Sequence, residues 1–193
     1  MVLTPDLLLS AYSQGIFPMA DDDGTIYWYD PDPRAILPLN SFHIPRSLSR
    51  LVRRDMYDVR MDTAFGEVVS ACAAPYPGRK ETWINGEIAS AYERLFDLGF
   101  AHSVEVWHDG FLVGGLYGVA INGLFAGESM FSRVRDTSKV ALVHLVAHLR
   151  QQGFLLLDIQ FLTEHLERFG AVEIARREYK NVLAVALNVP ARF

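Results

Sequence analysis

The sequence lacks most of the features that would place a protein outside the cytoplasm or in a membrane. Cys72 is the one cysteine among 193 residues, which excludes an intramolecular disulfide and a cysteine-rich metal site. No apolar run is long enough to span a bilayer, and the first residues lack the basic region and long apolar core of a secretory signal. Internal repeats and low-complexity segments are also missing. We therefore expect a cytoplasmic protein without a membrane partner, with a monomer as the default state.

Positive charge is scarce as well. The 18 Lys and Arg residues face 23 Asp and Glu residues, which gives a formal net charge of -5. This balance offers no general attraction to a polyanion, but a local basic face can still bind one, so the net charge does not exclude a nucleic acid. Hydrophobic residues make up 50% of the chain and aromatic residues 12%, which favours a packed globular protein over a disordered one.

A small N-terminal domain is predicted over residues 1–75. Thr4 and Pro5 open a helix that ends at Gly15, and the Pro- and Asp-rich segment after it predicts loops with short strands. A second helix begins at Pro45, followed by a strand in YDVRMD and a helix in TAFGEVVSACAA. We expect the domain to end near the loop APYPGRK.

Residues 76–193 follow a more regular order and form the predicted main domain. A helix in GEIASAYERLFDLG precedes three strands, the first two of which are joined by a tight turn at HDG. Asp136 or Thr137 then caps a long helix, and LLLDIQ, a short helix and a tail complete the chain. This order predicts an α+β fold whose mostly antiparallel sheet is flanked by helices.

Two polar side chains interrupt the apolar strand LLLDIQ. Asp158 and Gln160 lie two positions apart, so on a regular strand they share one face while Leu157 points to the other. An unpaired buried carboxylate is very costly, so Asp158 must meet water, a partner or a cleft. A solvent-exposed polar pair at a strand end explains the spacing equally well. A bulge at that end would bring both sets of side chains towards one cleft.

The segment GESMFSR places a carboxylate, two hydroxyls and a guanidinium close together, interleaved with apolar side chains. Such a mixture suits the mouth of an apolar pocket. Ser129 is a poor candidate for a nucleophile, because its surroundings do not match G-x-S-x-G and no strand-to-helix elbow is evident.

The remaining motifs favour ordinary structural roles. The glycines of LVGGLYGVAINGLFAG match neither a dinucleotide-binding turn nor a phosphate-binding loop, so they favour close approach of a backbone or ligand. His144 and His148 lie four apart, but no glutamate follows the first and no third ligand is in register, so we predict no metal site. Cys72 is most simply a small core residue.

Two surface features suit a nucleic acid. Trp28, Tyr29 and Trp83 stand in Pro- and Gly-rich surroundings and can stack on a base, although they can equally fill an interface within the protein. Four basic side chains share one face of the second helix, where they can contact phosphates or form a solvated face balanced by nearby acids. They are Arg46, Arg50, Arg53 and Arg54.

Together these segments resemble the bacterial leucyl/phenylalanyl-tRNA protein transferase family. The matching blocks are AYSQGIFPMA, YWYDPDPRAILPL, FHIPRSLSR, TWI, AYERLFDLGFAHSVEVW, LVGGLYGVAINGLFAGESMFSR, SKVAL and LLLDIQFLTEHLERFGAVEI. They follow the family order over nearly the whole chain, and the combination of GESMFSR, AHSVEVW and D-x-Q is highly specific.

The resemblance implies transfer of Leu, Phe or Met from aminoacyl-tRNA to proteins with N-terminal Arg or Lys, which marks those proteins for degradation. It also implies a small N-terminal domain followed by a domain like the GCN5-type N-acetyltransferases. No metal or diffusible cofactor is expected, since the aminoacyl ester is already activated.

The resemblance also assigns roles to residues. Asp158 and Gln160 match the catalytic D-x-Q pair, and Glu128 stands where it can meet the substrate's α-ammonium or the basic acceptor residue. Trp83 matches an aromatic support for the terminal adenosine, with Tyr12 and Met19 nearby; some relatives carry Trp at the position of Met19. The basic face of the second helix gains weight as a contact for the tRNA backbone. The expected amino-acid pocket comprises Leu116, Phe125, Met130, Leu142, Leu145, Leu149 and Leu157.

Two other functions stay open on the sequence. An acyl-CoA-dependent N-acyltransferase would use the same fold, but the pyrophosphate-binding turn of those enzymes is not found before the long helix, where FSRVRDTSKVAL stands. A noncatalytic adaptor would bind tRNA ends or basic N-termini without turnover.

Overall fold

The computed structural model describes residues 3–75 and 82–193. Its helices are α1 (Pro5–Ser13), α2 (Arg46–Arg53), α3 (Phe65–Ala73), α4 (Gly86–Asp97), α5 (Thr137–Gln151), α6 (Glu164–Glu167) and α7 (Arg176–Ala186). Its strands are β1 (Phe17–Ala20), β2 (Ile26–Tyr29), β3 (Arg34–Ile36), β4 (Asp58–Met61), β5 (Ala101–His108), β6 (Phe111–Ile121), β7 (Leu124–Ser132), β8 (Leu156–Gln160) and β9 (Val172–Ile174). A 3-10 turn covers Leu39–Ser41.

Seven of these strands form one sheet in the order β4-β5-β6-β7-β8-β3-β9, and β1 and β2 form a separate hairpin. Neighbouring strands of the sheet run antiparallel except β7 and β8, which are parallel and connected through α5. Helices α2 and α5 contribute to the apolar core on one face, and α1, α3 and α4 contribute to the core on the other. The predicted α+β class, with a mostly antiparallel sheet and a small N-terminal piece, is confirmed.

The sheet crosses the domain boundary predicted between residues 75 and 76. Strands β3 and β4 precede that boundary, yet they pair with β8 and β5, which follow it. The predicted boundary therefore does not coincide with a division of the sheet. The loop predicted over APYPGRK lies mostly outside the described residues.

Local signals place the first helix as predicted. Thr4 accepts a hydrogen bond from the backbone N–H of Leu7 through its side chain, and Pro5 occupies the first helical position. Gly15 follows the helix with a φ of 74°, a conformation that costs glycine little. The helix end directs the chain towards β1.

The start of α5 is capped differently from the prediction. Asp136 occupies the capping position, but its carboxylate accepts from Lys139 at 2.5 Å and makes no bond to a helix N–H. Instead, Ser132 of β7 accepts from the backbone N–H of Ser138 at 2.9 Å. A side chain from the neighbouring strand thus accepts a hydrogen bond from a helix N–H group that the capping residue leaves without a partner.

No helix of residues 3–75 and 82–193 is long and apolar enough to cross a bilayer.

Candidate active site

A cleft opens where β7 and β8 separate. The two strands pair only from Leu124 opposite Leu156 to Ala126 opposite Asp158. Beyond that point β7 continues beside β6, while β8 pairs with β3 on its other side. The second half of β7 and the end of β8 therefore line the gap between the strands.

A bulge in β7 places Glu128 beside this gap. In the pairing of β6 with β7, Tyr117 lies opposite Ser129 and Gly118 lies opposite Gly127. Glu128 is the extra residue between them. Because a bulge redirects the side chains around it, Glu128 departs from the regular alternation of the strand.

A second bulge stands at the end of β8. Ala35 of β3 lies opposite Gln160 and Ile36 lies opposite Asp158, so Ile159 is the extra residue. Gln160 then adopts a φ of 60°, the left-handed region that few non-glycine residues enter. Leu157, Ile159 and Gln160 consequently all line the cleft, whereas Asp158 does not. The bulge is present, but it brings only Gln160 to the cleft beside Leu157, and Asp158 faces away from it towards Arg34.

The cleft encloses about 330 Å³ and is mainly apolar inside. This volume lies at the lower end of the range for ligand pockets, roughly 300–1,000 Å³. Most residues expected at the substrate line it: Met19, Trp83, Leu116, Glu128, Met130, Leu142, Leu145, Leu157 and Gln160. Phe17, Ile159 and Phe161 line it as well, and their contribution was not predicted.

Three residues expected at the substrate lie elsewhere. Phe125 and Leu149 belong to the core beneath the sheet and have no exposed surface, so their side chains support the pocket from behind. Phe125 stacks against Phe193 there. Tyr12 is also buried, at 2% exposure, and its hydroxyl is directed to Glu128. Its ring cannot support an adenosine in this arrangement.

Asp158 is held in a buried ion pair with Arg34. Arg34 Nε donates to Asp158 Oδ1 at 2.9 Å and Arg34 Nη2 donates to Oδ2 at 2.6 Å, with both side chains 1% exposed. The Tyr179 hydroxyl also donates to Oδ2, at 2.7 Å, and the backbone N–H of Gln160 donates to Oδ1, at 3.0 Å. Both carboxylate oxygens are therefore occupied by protein donors. Asp158 fixes the backbone of Gln160 and does not contact the Gln160 side chain.

Arg34 is itself fully enclosed. Its Nη1 donates to the carbonyl of Gly15 at 2.9 Å, and its guanidinium stacks over the rings of Phe17 and Tyr179. Burial lowers the pKa of Arg34, but the hydrogen bonds and charge of Asp158 outweigh this effect and raise it overall. Burial, followed by the charge of Asp158, raises the pKa of Tyr179. The guanidinium therefore stays charged and the phenol stays protonated.

Glu128 forms a second polar group at the cleft. Tyr12 donates to Glu128 Oε1 at 2.8 Å, and Tyr92 donates to Oε2 at 2.9 Å. The two hydroxyl oxygens lie 2.5 Å apart. Gln160 Nε2 also donates to Glu128 Oε1, at 3.0 Å.

The surroundings of Glu128 shift its titration. Burial is the largest cause and raises the pKa of Glu128 to about 7, and the charge of Asp158 adds to the rise. The hydrogen bonds from the two tyrosines and from Gln160 oppose it. Burial, with the charge of Glu128 as the second cause, raises the pKa values of Tyr12 and Tyr92 well above their usual range. Glu128 is thus the group of this cluster that titrates near neutral pH.

Sequence reasoning missed Arg34, Tyr92 and Tyr179 as members of the site. Arg34 stands in the block YWYDPDPRAILPL, where an arginine enters an apolar strand much as Asp158 does in LLLDIQ. Two opposite charges, each within an apolar strand, could have predicted a buried ion pair between the two strands. Tyr92 and Tyr179 lie on amphipathic helices and gave no signal beyond that of a core aromatic.

The four arginines on α2 are all exposed, while Leu48 on the same helix is buried in the core. Within the described residues, none of these arginines forms an ion pair with a carboxylate. The exposure of these arginines is compatible both with a solvated face and with a contact surface for phosphates.

Other chemistry suggested by the sequence finds no support. Ser129 lines the cleft, but no described histidine or carboxylate is hydrogen-bonded to its hydroxyl. Residues 3–75 and 82–193 contain no group of three His, Cys, Asp or Glu residues able to hold a metal ion.

The fold and the site together define an α+β protein with the features of an enzyme active site. An apolar cleft is bordered by several polar side chains, and the pKa of one of them, the carboxyl group of Glu128, is raised. The family model for leucyl/phenylalanyl-tRNA protein transferase matches residues 36–184, and the model for the N-terminal domain of that family matches residues 1–32. The chain belongs to this family.

Two relatives illustrate the match. The leucyl/phenylalanyl-tRNA–protein transferase of Paramagnetospirillum magneticum is 58% identical over 193 residues, covering 99% of this chain and 92% of the relative. The protein of the same name from Herpetosiphon aurantiacus is 58% identical over 192 residues, covering 99% and 98%. Among solved structures, L-PGS from Bacillus licheniformis shares the fold with a TM-score of 0.52 at 13% identity, covering 92% of this chain and 67% of that one.

Proposed function

We propose that this protein transfers Leu, Phe or Met from its charged tRNA to the N-terminal Arg or Lys of acceptor proteins, which marks them for degradation. The observation that carries the proposal is the cleft between β7 and β8, an apolar pocket of about 330 Å³ with Glu128 and Gln160 at its polar part. An apolar side chain that is not branched at Cβ, as in Leu, Phe and Met, fits such a pocket, while the ester stays near the polar residues. Membership of the transferase family supports the same reading.

In this function the residues divide into a binding set and a reacting set. Leu116, Leu142, Leu145 and Leu157 surround the transferred side chain, with Met130 at the cleft wall. Trp83 and Met19 border the same cleft and provide the surface for the terminal adenosine. Gln160 contacts the reacting ester or amine, and Asp158 keeps Gln160 in position from behind. The ester is already activated, so the reaction draws on no cofactor.

The start of α5 argues against coenzyme A as the donor. Enzymes that bind a pyrophosphate at a helix start use free backbone N–H groups there. Here Ser132 Oγ accepts from the N–H of Ser138, and the N–H of Thr137 is bonded to the carbonyl of Val134. Donors at this helix start are therefore already engaged by the protein.

A transfer assay tests the proposal directly. Purified protein is incubated with radiolabelled Leu-tRNA and a peptide that begins with Arg, and we expect label in the peptide and loss of transfer after RNase treatment. A peptide that begins with Glu is the matched negative control. Absence of transfer, or equal transfer from leucyl-CoA, would contradict the proposal. A binding-only adaptor is distinguished in the same assay, because it retains tRNA without turnover.

The α2 arginines provide a separate prediction about the donor. Replacing Arg46, Arg50, Arg53 and Arg54 together by Gln should weaken Leu-tRNA binding at least tenfold at about 0.1 M salt. The slope of log affinity against log salt should fall by about 3, because each lost phosphate contact removes roughly 0.7–0.9. Filter binding across a salt series measures both quantities. Arg177→Gln, at an exposed position of α7, is the control, and an unchanged salt slope in the quadruple variant would exclude this face as a tRNA contact.

We place this activity in the cytoplasm, where the charged tRNA donor is available, with a monomer as the expected active unit.

A further inference from the structure

The carboxyl group of Glu128 belongs to a compact triangle of oxygen atoms. Tyr12, Tyr92 and Glu128 approach one another in three oxygen pairs, at 2.5, 2.8 and 2.9 Å. The tyrosines come from α1 and α4, whereas Glu128 comes from the bulge in β7. Glu128 is partly exposed to the cleft, and both tyrosines are buried behind it.

The number of hydrogens in this triangle depends on the state of Glu128. When Glu128 is ionised, the two phenols supply only two hydrogens for three close oxygen pairs. One pair of oxygens is then in contact with no hydrogen between them. When Glu128 is protonated, three hydrogens serve three pairs and the ring is complete. The triangle therefore has room for one further proton at the carboxyl group. The hydrogen bonds from the two tyrosines favour the carboxylate, but burial outweighs them and raises the pKa of Glu128 to about 7, so both protonation states are within reach near neutral pH.

The titratable groups in contact with Glu128 leave it as the proton acceptor at the polar part of the cleft; His165 of α6 also lines the cleft but makes no described hydrogen bond to Glu128 or Gln160. Tyr12 and Tyr92 hold their own protons, since their pKa values are raised. Asp158 lies behind Gln160 with both oxygens occupied, and its charge is paired with Arg34. The Gln160 amide is a very weak base, and its Nε2 already donates to Glu128. Among these groups only Glu128 is both accessible from the cleft and able to titrate at neutral pH.

We propose that Glu128 is the general base of the transfer reaction, a role that rests on the function proposed above. The neutral α-amine of the acceptor attacks the ester carbonyl carbon, forming the C–N bond with the nitrogen lone pair. The amine proton passes to the Glu128 carboxylate, and the C–O bond to the ribose breaks with its electron pair leaving on the ribose oxygen. Glu128 then returns the proton to that oxygen, so the carboxylate is regenerated and atoms and charge balance.

This assignment gives Gln160 a different task from that of an acid or base. Its Nε2 holds Glu128 Oε1, and no described residue donates to its carbonyl oxygen. That oxygen is the acceptor that orients an N–H of the incoming amine towards the ester. Gln160 and Glu128 thus share the amine, one by orientation and the other by proton removal.

The test compares the wild type with Glu128→Gln, which keeps the shape of the side chain and removes the base. We expect kcat to fall by about 10²–10⁴, the usual contribution of a general base, with the KM for Leu-tRNA within threefold of the wild type. Glu173→Gln, an exposed glutamate on β9, is the control and should behave as the wild type. A carboxylate that only binds the substrate ammonium would raise KM and spare kcat, which would overturn the assignment.

The pH dependence of kcat/KM distinguishes a general base from a residue with a purely structural role, because a structural role of Glu128 would leave the slope of the pH profile unchanged. Below pH about 7 the wild type must deprotonate both Glu128 and the acceptor amine, whose reference pKa is roughly 8, so log kcat/KM for the peptide should fall with a slope near 2. Glu128→Gln should fall with a slope near 1, since only the amine titrates. Equal slopes in the two proteins would overturn the assignment.

A measurement without turnover accompanies the kinetics. The 13C resonance of the Glu128 carboxyl, assigned by its absence in Glu128→Gln, should titrate with a midpoint near 7. A midpoint near 4.5, the ordinary value, would remove the basis of the proposal. A wild type that transfers while Glu128→Gln stays within threefold of it overturns the base alone. A wild type without transfer overturns the proposed function and the base together.

Discussion

Arg34→Met is expected to lower the free energy of unfolding by about 3–5 kcal/mol, because it leaves the buried carboxylate of Asp158 without its counter-charge. The ion pair is 1% exposed on both sides, so water cannot replace the lost partner. Transfer activity should be lost as well, since Asp158 anchors the backbone N–H of Gln160. Urea denaturation measures the stability, and the Leu transfer assay measures the activity.

Two further variants make this result specific. Arg60→Met breaks an exposed pair with Asp58, in which the side chains are 45% and 59% exposed, and should cost less than about 1 kcal/mol. Adding Asp158→Asn to Arg34→Met should recover part of the lost stability, because the unpaired charge is then absent. A loss below about 1 kcal/mol for Arg34→Met alone would show that Asp158 does not depend on this arginine.

Gln160→Gly is expected to reduce kcat by about 10²–10³ while leaving the protein at least as stable as the wild type. The side chain that orients the reacting group is gone, and a fixed hydrogen-bonding group of this kind contributes roughly that factor. The glycine variant, however, removes strain from the backbone. Gln160 has a φ of 60°, a conformation that costs a non-glycine residue about 1–2 kcal/mol and glycine little. Single-turnover transfer and urea denaturation measure the two effects.

Gln160→Ala separates the side chain from the backbone. Gln160→Ala should lose as much activity as Gln160→Gly, because both lack the amide side chain. It keeps the unfavourable positive φ, so Gln160→Gly should be the more stable of the two. An active glycine variant would show that the Gln160 side chain takes no part in the reaction.

The elements of this protein follow from short-range signals in its sequence. Thr4 and Pro5 start α1 and Gly15 ends it, since capping, a fixed proline φ and a positive glycine φ are properties of a few adjacent residues. The apolar side chains of α5, among them Val140, Leu142, Leu145 and Leu149, likewise fix which face of that helix is buried. These patterns were sufficient for the α+β class. The assignment of the pocket-lining side chains on β6, β7 and α5 required the family resemblance, and it misplaced Phe125 and Leu149, which are in the core behind the cleft.

The reacting groups depend on contacts between distant parts of the chain. Arg34 and Asp158 are 124 positions apart, and Tyr12 and Glu128 are 116 apart, so no local pattern links them. The order of strands in the sheet, with β3 inserted beside β8, brings the first pair together. Packing of α1 and α4 behind β7 brings the second.

Strand alternation also fails at the two positions that matter most. Glu128 and Ile159 are extra residues in their strands, and neither GESMFSR nor LLLDIQ contains a residue that demands a bulge. The sequence by itself determined most of the helices and strands, although not β9 and α7 in the tail, because such elements depend on neighbours along the chain. Only the tertiary structure decided that Asp158 is a buried anchor and that Gln160 and Glu128 meet in the cleft, because pairing between strands sets where alternation breaks.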